Sequence, residues 1–330
     1  MRLTTLRDGS RDGRLHLVSR DGARCVSAAA VAATLQEALD GWQRLRPALE
    51  MLAGRLEEGA HPDILPFDPQ RCCAPLPRAW QWCDASAFLN HVDLLTQAFH
   101  MPAIESAATV PLMYQGAGDD FLGPHADVHL PSEADGIDVE GEFGVITTEV
   151  RMGANAGEAL QRVALVVQIN DWSLRTLGAA EVKTGMGFLQ AKPSTSFSPL
   201  AVTPDELGDA WHGGRIHLDL HVNINDVHLG HPNGREMNFG FGDLIAHAAR
   251  TRRLSAGTII GSGTVSNREL ATGSSCIAER RMIEMIDQGH AHTPFMSFGD
   301  RVRMSARHPD GRLGPFGEIN QRVVAPPRVP

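Results

Sequence analysis

Glu140 and Glu142 stand two residues apart in Ile137-Asp138-Val139-Glu140-Gly141-Glu142-Phe143-Gly144-Val145-Ile146. Alternate side chains of an extended segment share a face, so both carboxylates point the same way. Held together they repel, and each favours protonation unless a cation lies between them. Hard divalent cations such as Mg²⁺ or Ca²⁺ favour such oxygen ligands. Spacing alone leaves a second reading open, a solvated acidic strand face.

Two further acidic positions bear on that choice. Asn170-Asp171-Trp172-Ser173-Leu174-Arg175 follows the apolar run Val163–Ile169, which places Asp171 where a buried strand ends. Asp84 and His91 lie seven residues apart in Trp82-Cys83-Asp84-Ala85-Ser86-Ala87-Phe88-Leu89-Asn90-His91, one face of a helix if that segment is helical. Asp84 and Ser86 also suit a helix N-cap, and a lone histidine also fits a structural or surface place. Of the 30 basic residues only Lys183 and Lys192 are lysines, and Tyr114 is the one tyrosine. Where arginine is so favoured, a lysine retained for function marks a place where a compact ammonium matters and a guanidinium fork does not fit; chance retention is the other reading at two positions.

The elements that must position these groups follow from periodicity. The first 25 residues read as strands punctuated by the turn signals Asp8-Gly9, Asp12-Gly13 and Asp21-Gly22. From Ser27 to about Glu58 apolar residues recur at spacings of three and four, with Pro47 expected to separate a pair of helices. His61–Pro77, with five prolines, reads as a linker or as an ordered Pro-rich surface loop. Beyond it, Arg162–Asn170, Arg215–His228, Thr258–Gly263 and Asp300–Ser305 read as strands, and Phe88–His100 and Phe241–Arg250 as helices. The expected fold class is α+β: a small N-terminal α+β module over residues 1–75, then a larger β-rich domain over 76–330.

Taken together, these segments resemble the fumarylacetoacetate hydrolase family. The resemblance rests on Asp84 with His91, Glu140-x-Glu142 and Asn170-Asp171-Trp172-Ser173-x-Arg175. It continues through Leu189-Gln190-Ala191-Lys192 with Ser198-Pro199, Gly261-Ser262-Gly263-Thr264-Val265-Ser266, Gly273-Ser274-Ser275-Cys276-Ile277-Ala278-Glu279 and Gly314–Asn320. It covers roughly residues 78 to 325 in ordered blocks. It implies a mixed-β folded roll and a homodimer. Asp84, Glu140, Glu142 and Asp171 match carboxylates that hold Mg²⁺ or Ca²⁺. His91 matches a water-activating base and Glu279 the carboxylate that orients it. Arg175 and Lys192 match cations near the developing oxyanion, while Tyr114 and Thr264 match substrate contacts. The chain departs from the animal enzymes at Gly178, where a glutamine is expected, and at Ser86, where a second tyrosine is common. The arginine that normally follows His91 has no counterpart. These departures leave the metal ligands in place and the substrate open.

The function so implied is metal-dependent hydrolysis of a C–C bond in a β-diketo acid, fumarylacetoacetate or an acylpyruvate, as in the catabolism of aromatic compounds. Two alternatives share the scaffold: a lyase (an oxaloacetate-type decarboxylase or a 2-keto-4-pentenoate-type hydratase) and a non-catalytic metal-binding relative. A net charge of −9 without a basic block argues against nucleic acid as a partner. No apolar run approaches the ~20 residues that span a bilayer, and Met1-Arg2-Leu3-Thr4-Thr5 lacks the features of a secretory signal. Five cysteines without metal-ligand spacing read as reduced thiols of a cytoplasmic protein.

Overall fold

The computed structural model describes residues 1–100 and 104–327. The Asp-Gly signals of the N-terminus do close hairpins: Arg2–Leu6, Arg14–Val18 and Arg24–Ser27 pair antiparallel in sequence. Gly13 and Gly22 adopt φ of 59° and 71°, a region glycine enters without a Cβ penalty. The free edge of Arg2–Leu6 pairs with Ala201–Val202, and Ala201–Val202 with Val163–Asn170. The small N-terminal module therefore extends an 11-stranded sheet. That sheet runs on through Gly141–Thr147, Ile259–Gly261 and Trp82–Ala85 to Met113–Gly116 at its far edge.

A second sheet of five strands is ordered Val227–Gly230, Asp219–Ile224, Arg301–Arg307, Leu313–Val324 and Val128–His129. The large sheet is covered on both faces, which explains why its central strands are apolar runs rather than alternations. Phe143, Val145 and Val166 pack with Leu220, Val222, Met304 and Phe316 of the second sheet. Ile146, Leu165 and Val167 face the other way, toward Leu15, Leu17, Leu35, Leu39 and Leu49 of the N-terminal module. The α+β class and the folded roll stand. No helix of the described residues is long and apolar enough to cross a membrane, and all five cysteines are free.

Four local readings are corrected. The helical stretch breaks at Gly41, not at Pro47: one helix spans Leu35–Asp40 and the next runs Trp42–Glu57 through the proline. Pro47 lies only six residues into that helix, where it removes a single helical bond, while Leu49 and Leu56 continue the buried stripe beyond it. His61–Pro77 is not a linker, because Cys72, Ala74 and Leu76 are buried. Leu65–Pro66 pairs with Arg24–Ser27, and Thr5 donates its hydroxyl to the Pro75 carbonyl. Arg215–His228 is not one strand; Asn225 and Asp226, at φ of 49° and 63°, turn it into the hairpin Asp219–Ile224/Val227–Gly230. Finally, Asp84 and His91 do not share a helix face: Asp84 lies in the strand Trp82–Ala85 and His91 in the helix Leu89–Phe99.

Candidate active site

The middle of the large sheet assembles the carboxylates. Asp84 sits opposite Gly261 on one neighbouring strand and Tyr114 on the other. Its Oδ1 accepts the Gly263 N–H at 3.0 Å. A side chain at Gly261 would collide with Asp84 and Trp82, so the bare backbone there is what lets Asp84 enter the sheet. Glu142 lies in the strand Gly141–Thr147, opposite Ile169. Glu140 stands just before that strand, its N–H held by Asn170 Oδ1 at 3.0 Å, and its carbonyl accepts the Asp171 N–H. Alternation in one segment and the end of the next strand thus deliver Glu140, Glu142 and Asp171 to one place.

One oxygen each of Asp84, Glu140, Glu142 and Asp171 lies within 4.8 Å of the others, and all four side chains are buried. Two cations join them. Lys192 Nζ is 2.7 Å from Asp171 Oδ2 and 3.0 Å from Glu140 Oε2. Arg175 places one terminal nitrogen 2.7 Å from Glu140 Oε1 and Nε 2.7 Å from Asp138 Oδ2. Tyr114 donates its hydroxyl to Asp171 Oδ2 at 2.6 Å, Thr195 donates to Asp171 Oδ1 at 2.6 Å, and Ser173 to Glu140 Oε1 at 2.9 Å.

The electrostatics divide the cluster. Burial alone would raise Glu140, yet Lys192 and Arg175 outweigh it and hold that carboxyl well below its ordinary range. Lys192 is likewise kept charged, since Asp171 and Glu140 overcome the cost of its burial. Among the described residues no cation lies within ion-pair distance of Asp84 or Glu142, and the more distant Lys192 offsets their burial only in part. Burial, with Asp171 adding to it, pushes Asp84 up to about 8. Burial and the neighbouring Asp84 and Asp171 raise Glu142 well above the usual carboxylate range. Both oxygens of Glu142 are buried without a hydrogen-bond partner among the described residues, an arrangement that costs free energy unless something binds there. Five buried carboxylates, Asp138 included, face only two cations. The donor set is all oxygen, it converges, and a divalent cation would offset its excess charge, so the residues fit a hard metal ion.

His91 and Glu279 meet from different ends of the chain. His91 Nδ1 is 2.7 Å from Glu279 Oε2, with the imidazole partly exposed and the carboxylate buried. Glu279 lies in the first turn of the helix Ile277–Gln288, and Cys276, just before that helix, bridges to Glu140. The pair therefore borders the carboxylate cluster. Thr264 is buried on the loop that follows Gly263, next to the Asp84 contact.

Sequence reasoning missed four participants: Asp138, Asn170, Ser173 and Thr195. Asp138 was open to detection, because it extends the alternation of Glu140 and Glu142 by one step. Asn170 and Ser173 flank Asp171 and betray nothing by spacing.

The family model described as "Fumarylacetoacetate (FAA) hydrolase C-terminal" matches residues 81–324. The chain belongs to the fumarylacetoacetate hydrolase family. Residues 1–78, which add little to the resemblance read from the sequence, match "Fumarylacetoacetase N-terminal domain 2". A 2,4-didehydro-3-deoxy-L-rhamnonate hydrolase from Sphingomonas sp. (strain SKA58) is 32% identical over 168 residues, which are 49% of this chain and 56% of that protein. The chain thus spans little more than half the length of the curated relatives it matches. The crystal structure of a maleylpyruvate hydrolase from Sphingobium sp. SYK-6, in complex with manganese(II) and pyruvate, superposes with a TM-score of 0.67 at 18% identity. A fumarylacetoacetate hydrolase from Exiguobacterium antarcticum does so with a TM-score of 0.68 at 15% identity. Each superposition covers 99% of this chain and 100% of the other, and at these identities the likeness speaks for the fold alone.

Proposed function

We propose that this protein is a divalent-metal-dependent hydrolase that cleaves the C–C bond of an acylpyruvate-type β-diketo acid. The observation that carries the reading is the His91–Glu279 pair set beside four buried carboxylates. Asp84, Glu140, Glu142 and Asp171 would hold the cation, which when bound polarises the keto-acid oxygens as a Lewis acid. The relatives named for hydrolysing maleylpyruvate and a 2,4-didehydro-3-deoxy sugar acid support that substrate class. The manganese(II) of the Sphingobium structure supports a divalent cation.

The chain's own residues supply the rest. With Nδ1–H donated to Glu279, His91 keeps a basic lone pair on Nε2. Nε2 takes a proton from water as the water oxygen bonds to the distal carbonyl carbon. The bond from that carbon to the methylene then breaks, and its electron pair moves into the pyruvate enolate. The imidazolium returns its proton to the enolate carbon, so the products are a carboxylic acid and pyruvate. Arg175 contributes a buried terminal nitrogen that has no partner among the described residues, a donor for the developing oxyanion.

The test is turnover of an acylpyruvate by the purified protein with Mg²⁺, with pyruvate and the released acid measured in equal amounts. Decarboxylation of oxaloacetate without release of pyruvate from acylpyruvates would favour the lyase instead. We also propose a homodimer, for which light scattering should give twice the chain mass of 35.7 kDa.

A further inference from the structure

Asp138 touches two regions of this site that are remote from each other in sequence. Its side chain is fully buried. Oδ2 accepts from Arg175 Nε at 2.7 Å and from the Ala278 N–H at 2.9 Å, and Oδ1 accepts from the Ile277 N–H at 2.7 Å. Ile277 and Ala278 open the helix whose next residue is Glu279. The strand Ile137–Asp138 also pairs with Ser173–Leu174, immediately before Arg175. A carboxylate at a helix N-terminus satisfies orphan N–H groups and the local dipole, and a fork-shaped guanidinium keeps its plane only when two acceptors define it. Asp138 and Glu140 are those two acceptors. They take Nε and one terminal nitrogen, and leave the other terminal nitrogen buried and without a partner among the described residues.

We infer that Asp138 is a positioning residue of this active site, locking the Arg175 guanidinium so that its free nitrogen faces the reacting oxygen and tying that guanidinium to the helix that carries Glu279. The inference rests on the hydrolase reading for its kinetic consequence, not for its geometry. Asp138→Asn is the informative change. With its oxygen in the Oδ1 place the amide still accepts from the Ile277 N–H, whereas the NH₂ in the Oδ2 place accepts neither from Arg175 Nε nor from the Ala278 N–H. A guanidinium freed to swing by an ångström loses on the order of 10²-fold in turnover.

The experiment is a double-mutant cycle on the full chain with Mg²⁺, using Asp138→Asn, Arg175→Lys and both together. Steady-state kinetics on an acylpyruvate, melting temperature, and calorimetric binding of oxalate, a planar mimic of the pyruvate enolate, are read for each. Asp138→Asn should lower kcat roughly 10²-fold with KM changed by less than about threefold and oxalate binding weakened about tenfold. In the Arg175→Lys background it should add almost nothing, because coupled residues are not additive. A lowered melting temperature with kcat and oxalate affinity unchanged would overturn the inference and leave Asp138 a helix cap. Multiplicative effects in the double variant would also overturn it. If the parent cleaves no acylpyruvate, the hydrolase reading fails, while oxalate affinity still decides the position of Arg175. If Asp138→Asn does not fold, Arg175→Lys carries the test alone: it leaves the helix bonds in place, so undiminished kcat and oxalate affinity there overturn the inference.

Discussion

His91 and Glu279, 188 residues apart in the chain, meet with Nδ1 and Oε2 at 2.7 Å. The buried carboxylate favours the imidazole tautomer with its proton on Nδ1 and orients the ring, and the other nitrogen has no hydrogen-bond partner among the described residues. His91→Ala should therefore lower kcat by roughly 10²- to 10⁴-fold, and Glu279→Gln by less, since the amide still accepts from Nδ1–H. Metal affinity by calorimetry should stay close to the parent's in both. A large loss of metal affinity in His91→Ala would instead make the histidine a ligand.

The Glu142 carboxyl oxygens have no hydrogen-bond partner among the described residues. Glu142→Gln removes a carboxyl that the metal-free fold must either keep protonated or hold charged beside Asp84 and Asp171, so the metal-free variant should melt higher than the metal-free parent. The same change should abolish the rise in melting temperature that Mg²⁺ or Mn²⁺ gives the parent. Differential scanning calorimetry with and without metal reads both effects.

Protons should compete with the cation. Asp84 is pushed up to about 8 and Glu142 is raised as well. A carboxyl whose folded pKa lies above its unfolded one favours the fold fully below the unfolded pKa, and that contribution is lost as pH rises through the folded pKa. The metal-free protein should thus lose stability from about pH 4 to beyond pH 8, and bound metal should remove the loss. The metal-induced rise in melting temperature should be larger at pH 8 than at pH 6, and calorimetry near pH 7 should show protons released on binding. Equal rises at both pH values would contradict the assignment.

Lys192 stands between Asp171 and Glu140. Lys192→Met leaves buried Asp171 without its cation and Glu140 with Arg175 alone, a change that costs about 3–5 kcal/mol. Thermal unfolding should show a large fall in melting temperature, partly restored by divalent metal. Lys183, in an exposed 3₁₀ turn, should tolerate methionine with little effect.

The site was legible wherever chemistry follows from local pattern. Alternation brought Glu140 and Glu142 to one face, and the apolar run before Asp171 fixed a buried strand end. The two rare residue types also fell at the cluster, Tyr114 and Lys192 both bonding Asp171. What escaped depends on long-range pairing. Asp84 and His91 looked like neighbours on one helix, yet a parallel pairing with Ile259–Gly261 holds Asp84 in a strand. The N-terminal segment looked separable because its Pro-rich stretch resembles a linker, and only the pairing with Ala201–Val202 shows that it extends the central sheet. Pro47 misled because buried contacts along a helix outweigh one missing N–H.

The most direct measurement of the central claim is product analysis of the purified protein with Mg²⁺ and an acylpyruvate, run beside His91→Ala. The hydrolase account predicts pyruvate and the cognate carboxylic acid in a one-to-one ratio, incorporation of one ¹⁸O from labelled water into that acid, and loss of at least about 10²-fold in rate in the variant. Carbon dioxide from oxaloacetate at comparable rates in both proteins, with no acid released from the acylpyruvate, would contradict it.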